Sequence, residues 1–378
     1  MSLQSIAEII IAVKLPIRIL AVSSPSHAAS RMESDKDQRR SNVTLKQVAE
    51  RAGVHASTVS RALNAATRSM VAEDVVARVE KAAAQMGYRR DPVAASLRTG
   101  RSKLVGVLVP DIVNPVFGPI LSGVSELFAS QGYSVIVADV GNDENRQLEL
   151  VQGLIAHRVD GLILATVSRD DPLVDYCLSR KLPAVLVNRA EMRARLPAVI
   201  SDDALGMQLA VDHLVELGHR TIGHLAGPSR HSTGYLRRRG FQLAILSHGI
   251  ELQDAPCQDT LAYTREEGAA ATHRLLDASP NLTAIASAND LLALGAYDAL
   301  RERGLSCPAD ISIIGHNDMP MLDLVSPALT TVRISHKQMG RQAGQLLQAA
   351  IENNDSPPHN VVLPSQLVVR ASTASPRA

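Results

Sequence analysis

A chain of 378 residues, 46% hydrophobic and 20% charged, is globular and long enough for two or three domains, which excludes a disordered or low-complexity polypeptide. The net charge of +1 conceals an asymmetry: eleven Lys and Arg face five Asp and Glu between Ser41 and Lys103, a net +6, while residues 1–40 carry +2 and residues 104–378 are left with −7. Three cysteines, Cys177, Cys257 and Cys307, without CxxC or metal-ligand spacing, point to a reducing compartment, to free and mostly buried thiols, and away from a disulfide framework.

Residues 1–40 hold an apolar run, IAEIIIAV, which is followed by Lys14, Pro16 and Arg18 and then by the small-residue stretch AVSSPSHAAS. The run is too short and too interrupted to span a bilayer, which takes about 20 apolar residues. The reading adopted is an N-terminal extension, with translation starting at Met32; the alternative is a signal peptide. Intact-mass analysis of protein made from the native gene decides between them.

From Val43 to Asn64 the sequence reads VTLKQVAERAGVHASTVSRALN. Thr44 and Gln47 form a capping box, and Leu45, Val48 and Ala49 give one apolar face at helical spacing. Gly53 ends that helix, and Val59, Ala62 and Leu63 resume the pattern at once, so the stretch predicts a helix-turn-helix. On the second helix Ser57, Ser60, Arg61 and Asn64 fall opposite the apolar side, a compact polar face suited to the DNA major groove. An ordinary αα-hairpin with a solvated face is the competing reading, but it leaves the coincidence of basic charge and motif unexplained.

Val75, Val79, Ala82 and Met86 predict a third helix over 71–86, stopped by Gly87. In GYRRDPVAASLRTGRSK, Asp91 and Pro92 can start a very short helix that ends near Leu97 or Arg98, marginal in isolation and therefore conditional on a partner. From Leu104 the runs LVGVLVP, YSVIVAD, GLILAT, PAVLVN, TIGHLAG, TAIASAN and ISIIGHN alternate with amphipathic segments. They predict βαβ units in two doubly wound parallel-sheet lobes, with a ligand cleft at the carboxyl ends of the strands.

Several dispersed stretches in the right order carry a specific resemblance: the helix-turn-helix, GYRRDPVAASLRTGRSKLVGVLVPDIVNPVF, DGLIL, HLVELGHRTIGHLAGP, ANDLLALGAYDAL, LTTVR and LVVRAST. From Val43 to about Thr373 the chain resembles the lactose/galactose repressor (LacI/GalR) family of bacterial transcription regulators. The resemblance implies an α/β fold: an N-terminal three-helix helix-turn-helix DNA-binding domain plus hinge helix, then two lobes of periplasmic-binding-protein type. The expected divisions are an extension over 1–40, the DNA-binding domain over 41–90, and a hinge and linker over 91–103. The N-terminal lobe then takes 104–189 with 320–355, and the C-terminal lobe 190–319 with 356–373. It further implies a cytoplasmic homodimer on a palindromic operator, a small-molecule effector between the lobes, no cofactor and no metal.

By position, the resemblance places Ala56, Ser57 and Arg61 at base edges, and Thr44, Thr58, Asn64 and Tyr88 at phosphate or positioning contacts. Leu97 matches a minor-groove wedge with Ala94 packed nearby, and His55 departs from the serine that commonly caps the recognition helix. In the cleft it implies Asn114, Phe117, Asn188, His231, Thr233, Arg237, Tyr263 and Asp290 as effector contacts. Arg237 and His231 favour an anionic effector such as a sugar acid; a neutral sugar stays open, although aromatics are 2% of the chain and no Trp is available to stack on a pyranose. Asp290 can cap the helix LLALGAYDAL, bind ligand, or both; Gly315-His316-Asn317-Asp318 places a histidine able either to titrate near neutrality or to serve as a hydrogen-bonded structural group.

Two other classes compete. An exported sugar-binding protein of a transporter also has two βαβ lobes but cannot account for residues 43–103. An enzyme is not expected, since there is no Walker loop, no GxGxxG after a strand and no GxSxG.

Overall fold

The computed structural model describes residues 43–64, 67–88, 100–141, 144–352 and 357–377, in two units divided at Asp91. Residues 1–40 and the expected hinge residues Ala94 and Leu97 lie outside the described residues.

The smaller unit holds α1 (Leu45–Ala52), α2 (Ala56–Ala62) and α3 (Glu73–Met86). Thr44 caps α1 in a complete capping box: its N–H donates to Gln47 Oε1 at 2.8 Å, and the Gln47 N–H donates to Thr44 Oγ1 at 3.4 Å. Gly53 ends α1 in the left-handed region at φ 63, where a Cβ would be strained. Val48, Ala49, Val59, Ala62, Val79 and Ala82 bury one shared core. On α3 the buried stripe includes Val76 and Ala83, while the predicted Val75 and Met86 are only partly buried against it. Both sets have helical spacing, and packing on α1 and α2 selects between them.

In the larger unit the N-terminal half runs β1 (Leu104–Val109), α4 (Phe117–Ala129), β2 (Ser134–Asp139), α5 (Glu144–Ala156), β3 (Gly161–Leu164), α6 (Pro172–Ser179), β4 (Ala184–Val187) and β5 (Ala198–Ser201). There follow α7 (Asp203–Glu216), β6 (Ile222–Ala226), α8 (Ser232–Ser247), β7 (Cys257–Asp259), α9 (Arg265–Ala278), β8 (Ala284–Ser287), α10 (Asp290–Glu302), β9 (Ser312–Asn317), β10 (Thr330–Arg333), α11 (His336–Glu352), β11 (Asn360–Leu363) and β12 (Gln366–Val368). One sheet has the order β11-β5-β4-β3-β1-β2 with every pairing parallel. The other has the order β12-β10-β9-β8-β6-β7, in which only β10–β12 is antiparallel.

The central strands are apolar on both faces, as helix-covered parallel strands must be. Val105, Val107 and Val109 meet Phe117, Ile120, Val124 and Phe128 on one side of the first sheet, while Leu108, Leu162, Leu164 and Leu186 bury the other.

Strand pairing corrects the expected lobe boundaries. β5 and β11, assigned from sequence to the C-terminal lobe, complete the first sheet, and β10, assigned to the N-terminal lobe, lies in the second. The chain therefore crosses between sheets after Ser201, between Arg333 and His336, and between Leu363 and Gln366. These strands have three or four residues each, and their place is decided by hydrogen bonds to distant neighbours rather than by their own pattern.

Candidate nucleic-acid interface and ligand cleft

The second helix of the head, α2, has only seven residues and is capped at its N-terminus by His55, whose Nδ1 accepts the Ser57 N–H at 3.3 Å. An imidazole thus replaces the hydroxyl that the resemblance leads one to expect at the cap, and it also holds the Ser57 hydroxyl, 2.8 Å away. Val59 and Ala62 are buried beneath, while Ser57 and Arg61, one turn apart, are exposed on the opposite side. Arg61 has no carboxylate partner among the described residues. Ala56, Thr58 and Asn64 are half-buried at the rim of this face; Thr44 is exposed at the start of α1, and Tyr88 packs on the core just beyond α3.

The cleft of the body lies at the carboxyl ends of strands from both sheets, and Asn114, Phe117, Asn188, Thr233, Arg237 and Tyr263 line it together. Asn114 sits in the turn after β1, where its Oδ1 accepts the Val116 N–H at 3.2 Å; Phe117 opens α4 and is buried. Asn188 follows β4 at φ 64, a left-handed position that asparagine tolerates, and its Oδ1 is buried without a partner. The Thr233 hydroxyl and the Tyr263 phenol lie 3.1 Å apart, and burial raises the Tyr263 pKa.

Arg237 is a structural ion pair as well as a lining residue. At 2% exposure, its Nε donates to Asp203 Oδ1 at 2.8 Å and a terminal nitrogen donates to the Ala288 carbonyl at 2.6 Å. Burial pushes the Asp203 carboxyl up, and the Arg237 charge opposes that shift. The anion-binding role expected of this guanidinium is therefore partly filled from within the protein.

Asp290 is not among the residues lining the cleft. It is fully buried, its two oxygens accept the Thr331 hydroxyl at 2.5 Å and the Met319 N–H at 2.9 Å, and burial pushes its pKa up to about 7. The helix cap predicted for it belongs to Asn289, whose Oδ1 accepts the Leu292 N–H at 2.9 Å and which also lines the cleft. His316, expected either to titrate near neutrality or to be hydrogen-bonded, does neither: it is fully buried, neither ring nitrogen has a hydrogen bond among the described residues, Nε2 standing 3.7 Å from Asp203 Oδ1, and burial holds its pKa well below 6.5. His231 lies beside the cleft in an adjoining chamber with Arg189, Thr166 and Arg230.

A model of bacterial regulatory proteins, lacI family, matches residues 44–91, and a periplasmic binding protein-like domain matches residues 211–373. The HTH-type transcriptional repressor CytR of Escherichia coli K12 is 31% identical over 333 residues, spanning 87% of this chain and 96% of that protein. The chain belongs to the lacI family of bacterial regulatory proteins. A solved lac repressor dimer bound to operator and an anti-inducer superposes with a TM-score of 0.78 at 29% identity, covering 88% of this chain and 99% of that one. The complex of the transcriptional regulator CelR with cellobiose superposes at 0.67, also at 29% identity, covering 87% and 99%. This lacI-family chain is thus a DNA-binding transcription regulator and not an enzyme, and the head matched over residues 44–91 removes the transporter alternative. Among the described residues no helix is long and apolar enough to cross a membrane.

Sequence reasoning missed Arg189, Asn289 and Asn317 in the cleft. A signal for them exists: each stands at or within two residues of the end of an apolar strand run, where open α/β sheets place ligands. The structure adds a further mark at Asn317 that the sequence does not carry: a non-glycine φ of 116 and a buried Oδ1 with no hydrogen bond among the described residues.

Proposed function

We propose that this regulator is a cytoplasmic homodimeric repressor of a carbohydrate or sugar-acid operon, released from or held on its operator by a small hydroxylated metabolite bound in the cleft. The observation that carries this reading is the pairing, in one chain, of an exposed Ser57–Arg61 reading face with a cleft whose buried amide oxygens on Asn188 and Asn317 lack partners. Buried polar atoms are costly unless satisfied, so such a cleft is matched to a ligand that brings hydroxyl donors.

In this reading Arg61 pairs bidentately with a guanine edge, and Ala56 and Ser57 meet neighbouring bases. Thr44, Thr58, Asn64 and Tyr88 hold the phosphates, while Ala94 and Leu97 act in the minor groove at the operator centre. Asn114, Asn188, Thr233, Asn289 and Asn317 bind hydroxyls, Phe117 and Tyr263 offer apolar faces, and His231 completes the cleft from its side chamber. Ligand shifts the balance between two arrangements of the lobes, and with it the spacing of the paired reading helices. The sugar in the CelR complex and the operator and anti-inducer in the lac repressor complex support the two ends of this mechanism.

Arg61→Ala tests it. Loss of a bidentate base contact costs about 1–3 kcal/mol, so operator affinity falls by roughly fivefold to 150-fold while binding to random DNA changes far less. Competition gel shifts at fixed salt read the ratio, and equal losses on both DNAs would remove Arg61 from the base-reading face.

A further inference from the structure

Arg189 follows β4 and lines both the cleft and the side chamber. It is only 7% exposed and, among the described residues, has no carboxylate partner and no hydrogen-bond partner at Nε; a terminal nitrogen donates to the Thr166 carbonyl at 3.5 Å. Burial, together with Arg230 and Arg237, lowers its pKa to about 10, which leaves it charged at neutral pH. A charged guanidinium held this deeply without a counter-ion is strongly unfavourable.

Its neighbours are donors as well. The Arg230 Nε donates to His231 Nε2 at 3.3 Å, so the neutral imidazole carries its proton on Nδ1, and that Nδ1 is buried without an acceptor. Burial and then Arg189 and Arg230 hold His231 down to about 2, so the ring stays neutral. The Thr166 hydroxyl is buried and unpartnered too. The carboxylate that borders the chamber, Asp171, is occupied by the Leu173 N–H at 2.9 Å and the Ser168 N–H at 2.8 Å. Outside, Arg169 and Arg193, the latter paired with Asp170 at 3.3 Å, line an open hollow that shares Ser168 and Arg230 with the chamber. The chamber itself has room of about 50 Å³, enough for a small group rather than a ring.

We propose that the effector carries a carboxylate and that this group enters the side chamber, where it accepts from the Arg189 guanidinium, the His231 Nδ1–H and the Thr166 hydroxyl. The regulated metabolite is then a sugar acid, with its hydroxylated chain among the cleft asparagines. This rests on the reading of the cleft as an effector site and adds the charge of the ligand. Arg237, the guanidinium singled out by sequence, keeps its internal partner Asp203, and the unpaired cation is Arg189.

The test uses the full-length protein, its Arg189→Met variant and thermal unfolding. In chloride, Arg189→Met melts above the wild type, because the uncompensated charge is gone and the volume is kept. Formate at constant ionic strength, and the panel gluconate, glucuronate and galacturonate, raise the wild-type Tm and leave that of Arg189→Met unmoved; glucose and galactose shift neither. If Arg189→Met does not fold, the formate titration of the wild type decides alone. A variant melting below the wild type, with no formate response in the wild type, would make Arg189 a structural cation and overturn the proposal. Equal stabilisation of both proteins by a neutral sugar would overturn the acid while keeping the effector cleft. Stabilisation of the wild type by glucose 6-phosphate alone would replace carboxylate by phosphate. A response to formate but to no sugar or sugar acid would keep the anion chamber and count against the sugar-operon reading.

Discussion

Two buried carboxylates near the cleft differ in how their charge is met, and that difference sets what each does to stability. Asp203 is compensated by Arg237 at 2.8 Å, so Arg237→Ala leaves an unpaired buried charge. Breaking such a pair from one side costs about 3–5 kcal/mol, and urea unfolding should show a loss of that order, much of it recovered in the Arg237→Ala, Asp203→Ala double variant. Asp290 has hydrogen bonds but no salt bridge among the described residues, and burial raises its pKa from 3.8 to about 7. Between those values the folded chain binds a proton that the unfolded chain does not, so this group's contribution to stability falls as pH rises through the window and is constant above it. Asp290→Asn mimics the protonated acid. Relative to the wild type its Tm should gain by several degrees from pH 4 to pH 7.5, and a difference independent of pH would show Asp290 already ionised. His224 and His336, each lowered to about 4 by burial, act in the opposite direction, losing stability as pH falls, and they cancel in that comparison because both proteins contain them.

At the level of single helices, local capping chemistry carries the head. α1 has eight residues and α2 seven, too short to persist alone, so their ends matter as much as their faces. Thr44→Ala removes the hydroxyl that accepts the Gln47 N–H, leaving only the backbone half of the capping box, and should cost about 1 kcal/mol, seen as faster amide hydrogen exchange across α1 with little change in the lobes. This element was legible because every signal in it is local: the box, Gly53 and the apolar spacing lie within one stretch of chain. The α3 register was not, since VV at Val75–Val76 offers two stripes and only the facing helices choose Val76. The seven apolar runs read as strands all appear as β1, β2, β3, β4, β6, β8 and β9, while β5, β7, β10, β11 and β12 are strands of three or four residues near the sheet margins, defined by their partners.

On the scale of the larger unit, its two sheets are joined by three crossings and by a helix that sits apart from the strand before it. β10 belongs to the second sheet, yet α11, which follows it, packs on α4 under the first. That contact is backbone against backbone. A Cβ on Gly123 would strike the Lys337 carbonyl, and one on Gly340 would strike that of Ile120. Overpacking costs typically 1–3 kcal/mol, so Gly123→Ala or Gly340→Ala should lower the urea midpoint of the lobes accordingly, leaving hydrogen exchange in the head unchanged. Because α4 begins with Phe117, the same variants should shift the concentration of effector needed for half-response.

The sequence by itself determined the helix-turn-helix, the alternation of strand and helix, the family, and six of the eight residues named for the cleft, because each depends on local periodicity or on a motif held within a few turns of chain. Tertiary structure alone decided which sheet each short strand joins, that Asp290 turns inward to Thr331 and Met319, and which arginine has a partner. Arg237 lies in the second turn of α8 and Arg189 two residues beyond β4, and nothing in the residue type tells them apart. Only folding brings Asp203 to the first and leaves the second on the wall of the side chamber with no carboxylate partner among the described residues, since the energy of a buried charge depends on what stands within a few ångströms of it and not on its neighbours along the chain.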